Sequence, residues 1–123
     1  MDVRSPGWWL QVVGAVHVGV GVALYRTELA EIARAGVVNA VPDRGGRATA
    51  FWFLAPAPAL WLGGRLLRSA EANDDHAAQR AAGVALTATG LACAAAMPAS
   101  GFWALTAVGV AALRRGRRVV ARG

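Results

Sequence analysis

The chain has 123 residues, 56% of them hydrophobic, with a mean hydropathy of +0.41, a formal charge of +6 and a pI near 11.5. That balance is too apolar for a soluble fold with a polar surface, and the length suits a single domain over residues 1–123. All 13 basic residues are arginine, gathered in connections and in the C-terminal tail as topology signals are, which argues against a nucleic-acid partner. The absence of lysine, with heavy use of Ala, Gly and Val, suggests a GC-rich bacterial genome.

Four apolar stretches, at about 8–25, 48–67, 81–97 and 99–113, organise the chain. A hydrocarbon core about 30 Å thick takes roughly 17–25 helical residues to cross. Two stretches meet that length and two fall slightly short. The expected fold is all-α: a four-helix transmembrane bundle in the cell membrane, multi-pass, with both termini cytoplasmic. In that orientation the inner segments carry Arg4, Arg65, Arg68, Arg80, Arg114, Arg115, Arg117, Arg118 and Arg122, while the outer ones carry Arg26, Arg34, Arg44 and Arg47. This is the positive-inside bias. Trp8, Trp9 and Trp61 fall near the inner boundary, and Tyr25, Phe51, Trp52, Phe102 and Trp103 near the outer one, as two aromatic belts. Residues 1–23 also admit a reading as a signal peptide, which the Trp pair, the length and the further spans oppose.

In span 1, Gly7, Gln11, Gly14, His17, Gly21 and Tyr25 recur at helical spacing and share one face. A second face carries Ala15, Gly19 and Ala23, a small-residue ladder that permits close helix approach. With both faces packed, span 1 would be central. The outer interfacial segment 26–47 holds an expected helix at Glu28–Ala35, capped by Thr27 and stopped by Gly36. It would serve as an interfacial connector or as a lid over an outward-facing pocket.

Span 2 contains Pro56 and Pro58 at its centre. Each proline removes a helical donor, so the carbonyls of Trp52 and Leu54 lose their partners and the helix kinks or breaks. The loop that follows holds Arg68, Glu71, Asp74, Asp75, His76 and Arg80. The run Asp74-Asp75-His76 lacks the spacing that converges on one ion, so no metal site is expected, and no cofactor either. Span 3 carries Thr87, Thr89 and the lone cysteine, Cys93, which has no disulfide partner or ligand company. Span 4 carries Thr106, and the arginine tail beyond it reads as an anchor on anionic lipid.

An ionisable residue inside a membrane span is a candidate for function, and here that residue is His17. One account has it donating to a carbonyl freed by the prolines, in a self-satisfied polar core. The other has it lining a pocket as orienting donor or general base, with Gln11, Tyr25, Trp52 and Trp103 as the remaining ligand-binding residues.

The pieces Gly14-Ala15-Val16-His17, Arg47-Ala48-Thr49-Ala50-Phe51-Trp52-Phe53-Leu54 and Pro98-Ala99-Ser100-Gly101-Phe102-Trp103 together resemble a family of small bacterial four-helix membrane proteins of unknown function. That family is itself loosely similar in plan to the DoxX-like proteins. The resemblance implies the fold and hands over no catalytic residues. Small multidrug exporters are similar in plan as well, but they rely on a membrane-embedded Glu in the first span, where this chain has His17.

These readings lead to a small integral membrane protein that holds a lipophilic small molecule or lipid in a midplane pocket. A second reading is an accessory subunit packing against itself or a larger membrane partner. A third is a membrane-embedded isomerase or cyclase with His17 as base.

Overall fold

The computed structural model describes residues 5–118. Those residues form six α-helices: α1 (Pro6–Leu24), α2 (Arg26–Arg34), α3 (Gly46–Leu54), α4 (Ala57–Ala72), α5 (His76–Ala96) and α6 (Phe102–Arg118). The all-α expectation holds. One helix, α1, is long and apolar enough to cross a membrane by length and composition.

Local chemistry sets the boundaries. Ser5 caps α1 by accepting from the Trp8 amide at 3.1 Å, with Pro6 in the first turn, where its missing N–H costs no helical bond. The chain passes from α1 to α2 at Tyr25, which has no side-chain cap bond, so Thr27 lies inside α2 rather than capping it. Gly36, at φ +88°, ends α2 as expected, and the Val37 amide reaches back to the Ile32 carbonyl at 3.0 Å.

The proline pair divides span 2 into α3 and α4, with the gap at Ala55 and Pro56. Asp75 caps α5 by accepting from the Ala78 amide at 2.9 Å, and Asp74 takes the left-handed turn before it at φ 54°. Arg68 and Glu71, expected in a loop, belong to the last turns of α4, while His76 and Arg80 open α5.

Packing follows glycines spaced by seven. Gly7, Gly14 and Gly21 mark one edge of α1, and each sits against the antiparallel α3–α4 rod: Gly7 on Arg68 and Gly64, Gly14 on Leu60 and Trp61, Gly21 on Phe53 and Leu54. The pair α5–α6 repeats the device reciprocally. Gly83 faces Leu113, Gly109 faces Thr87, Gly90 faces Thr106, and Gly116 faces Arg80. A seven-residue repeat keeps one seam facing its partner along its whole length, and small residues on that seam let backbones approach closely. The closest-packed pairs are accordingly α1 with α4 and α5 with α6, and the two pairs meet through α1–α6 and α4–α5.

The resulting interior is small and partly polar, centred on Leu10, Leu105 and Val108, with Ala50, Ala94 and Ala112 fully covered. The large apolar side chains Val16, Val18, Val20, Leu24, Leu62, Leu66, Val84 and Leu91 lie outside. The ladder Ala15, Gly19 and Ala23 also lies outside, and a Cβ at Gly19 would meet nothing within 4 Å. The expectation that span 1 is packed on both faces is therefore corrected. Its glycine edge takes the α3–α4 rod, and the ladder face is open.

Candidate functional site

The glycine edge of α1 delivers His17 to the proline break. The gap at Ala55–Pro56 leaves the Phe53 carbonyl outside the helical ladder, and Nε2 of His17 bonds to it. The imidazole lies over the Phe53 ring, centroids 4.1 Å apart and planes 12° apart. Tyr25 also packs on Phe53, the two rings tilted with centroids 5.3 Å apart. The sequence pointed to the carbonyls of Trp52 and Leu54; the one engaged is the carbonyl between them.

Of the five residues expected to line a pocket, the structure joins His17 and Tyr25 through Phe53. Gln11 lies about 9 Å along the axis from His17 on the same helix, buried, with its Oε1 accepting from Arg68 Nη1 at 2.8 Å. Trp52 and Trp103 turn outward, 69% and 52% exposed. Trp52 makes an edge contact with Phe51, and the Trp103 indole donates to the Pro98 carbonyl at 2.9 Å. Indoles turned outward in this way do not form the wall of a cavity between the helices.

A polar group that the sequence did not single out occupies the other end. Glu71, 7% exposed, accepts from the Gly7 amide at 2.9 Å, so its carboxylate meets an otherwise unpaired donor at the start of α1. Gln79, 1% exposed, donates to the Ala70 carbonyl at 3.4 Å. Its Oε1 and His76 Nδ1 are buried with no protein partner among the described residues. Arg68, Glu71, His76 and Arg80, read as loop residues from the sequence, are thus built into helix ends. Thr106 Oγ1 donates to the Phe102 carbonyl at 3.1 Å, and Cys93 is a half-buried free thiol.

Two concavities lie at the ends of the molecule. One, beside the α1–α2 junction, is lined by Ala23, Leu24, Arg26, Thr27, Glu31 and Arg34, among others. The other lies between the first turn of α1 and the cationic end of α6. Neither is lined by His17, Trp52 or Trp103. The segment between α2 and α3 is tied down beside the first of them, by Arg47 Nε to Glu31 Oε2 and Arg47 Nη1 to the Ala40 carbonyl, both at 3.3 Å.

A model of a family of unknown function, DUF6463, matches residues 1–119. No curated protein and no solved structure matches the chain.

Proposed function

Starting from the fact that the chain belongs to DUF6463, a family of unknown function, we propose that it is a four-helix integral membrane protein acting as an accessory packing subunit. Both termini lie at the cytoplasmic face, in a bacterial plasma membrane, with a plan similar to the DoxX-like proteins. The rods are α1, the broken α3–α4, α5 and α6. At 1.5 Å per residue, α1, α5 and α6 are about 28, 32 and 26 Å long, close to one hydrocarbon thickness. Among the described helices, α1 alone is long and apolar enough to cross a bilayer unaided. The prolines divide one rod, α6 ends in arginines, and α5 is built from Ala, Gly and Thr. Glycine and alanine seams between helices, with many large apolar side chains outside, are what a lipid solvent favours.

The observation that carries the packing role is the His17–Phe53 bond. The one ionisable side chain at mid-depth satisfies the backbone group that the prolines release, leaving the ladder Ala15, Gly19 and Ala23 as the open face of α1. Such a ladder is self-complementary, so a two-fold axis brings it onto the same ladder of a second copy. The reading with a lipophilic molecule at His17 depth requires that bond to open.

Oxidative crosslinking in native membranes tests the proposal, with Gly19→Cys in a Cys93→Ser background. A disulfide-linked dimer is expected from Gly19→Cys and none from Val84→Cys on the exposed face of α5. Failure of the Gly19 variant to crosslink, or equal crosslinking at Val84, overturns it. Extraction of the chain from membranes by alkaline carbonate overturns the membrane reading itself.

A further inference from the structure

We propose that the groove between the first turn of α1 and the last turns of α6 binds one anionic phospholipid, its phosphate held by Arg114 and Arg118 and an acyl chain lying along Ala107, Val110 and Ala111. The inference rests on the membrane reading above. The groove is open to the surface and spans about 780 Å³, and Pro6 and Arg115 complete its lining.

The residues that line it are spaced as one helix face. Ala107, Val110 and Ala111 occupy the lower turns, and Arg114 and Arg118 follow one and two turns above. The face therefore changes from apolar to cationic over about 10 Å, the geometry of an acyl chain ending in a phosphate. Guanidinium forks suit phosphate oxygens in paired hydrogen bonds. Among the described residues no Asp or Glu lines the groove, and α6 contains none. Among the described residues neither Arg114 nor Arg118 takes part in an ion pair. The concavity at the opposite end differs, since Glu31 stands among its arginines. Depth agrees as well, because exposed Trp9 lies one turn along α1 from Pro6 and marks the headgroup zone. An apolar floor opening toward the lipid-facing surface selects a lipid phosphate over a free anion. The juxtamembrane position is where basic pockets between helices take anionic headgroups.

The test is native mass spectrometry of the full chain purified in micelles and exposed to phosphatidylglycerol or phosphatidylcholine. One phosphatidylglycerol should be retained in preference to phosphatidylcholine. Retention should fall about thirty-fold in Arg114→Gln/Arg118→Gln. An equal charge loss at the other end, Arg26→Gln/Arg34→Gln, should leave it unchanged. Ala111→Trp, which fills the groove and keeps both arginines, should weaken it as well. Circular dichroism of each variant should match the parent, since the replaced side chains are exposed. Equal retention of the two lipids, equal loss in the two arginine pairs, or full retention in Ala111→Trp overturns the proposal. Displacement of the lipid by millimolar inorganic phosphate overturns it in favour of a soluble anion. A chain that resists carbonate extraction yet shows no lipid preference fails this inference alone, and one that is extracted fails the membrane reading.

Discussion

His17 and Phe53 are joined twice, through Nε2 on the backbone carbonyl and through stacked rings. The carbonyl can only accept, so Nε2 carries the proton. Removing the imidazole leaves the part-buried Phe53 carbonyl without its side-chain partner. His17→Ala is expected to cost about 1–3 kcal/mol, read as a lower melting temperature in micelles. His17→Phe keeps the stack without the bond and should fall between the two. An unchanged melting curve for His17→Ala, with altered co-purifying lipid, would favour the ligand-binding reading instead.

Adjacent glycines in α4 should respond in opposite ways. A Cβ at Gly64 would stand 2.6 Å from Gln11 Cγ and 2.7 Å from both the Gln11 amide nitrogen and the Gly7 carbonyl oxygen. Backbone cannot give way there, so Gly64→Ala should destabilise the α1–α4 pair by about 1–3 kcal/mol. At Gly63 the nearest atom is Leu10 Cδ2 at 3.7 Å, an ordinary contact. Gly63→Ala should be neutral or stabilise by up to about 1 kcal/mol through helix propensity. Thermal unfolding of both single variants checks the contrast.

Much of this was legible in the sequence because helical periodicity and proline breaks are strong local signals. The 3.6-residue stripe from Gly7 to Tyr25 marked the packed edge of α1, and the prolines marked the break. The seven-residue glycine spacing was present too, and it marks the seam along which α5 packs on α6. The open side of α1 was not legible, because a ladder of Ala15, Gly19 and Ala23 looks the same packed or bare. Nor were Glu71 and Arg68. The apolar run stops at Leu67, but the helix continues for another turn and more, since helix ends are set by capping and not by hydropathy. Trp52 and Trp103 were drawn into the expected site by their position at the outer end, where an indole serves an interface as readily as a pocket.

Val37 holds a backbone conformation poorly suited to its side chain. Its φ is 67°, in the left-handed region, where a β-branched residue is crowded. The side chain is exposed, so little burial is at stake. Asn tolerates this region through its short polar side chain, and Val37→Asn should raise stability by about 1 kcal/mol. Val38→Asn, next to it and without a positive φ, should give no such gain in the same melting experiment.

Glu71 joins the end of α4 to the start of α1. Its carboxylate is buried and meets the Gly7 amide at 2.9 Å, a donor with no helical acceptor of its own. The start of α1 contains no acidic residue, so Glu71 supplies across the pair the negative charge that a first-turn Asp or Glu supplies within a helix. Glu71→Ala removes both acceptor and charge and should cost about 2 kcal/mol. Glu71→Gln retains an acceptor oxygen and should cost less. Amide hydrogen exchange separates this role from general packing. In Glu71→Ala, protection should fall first at Gly7 and Trp8, while the α5–α6 pair, locked by its own glycines, keeps its protection. A uniform loss across all four rods would instead make Glu71 a determinant of the whole fold rather than a latch on one helix start.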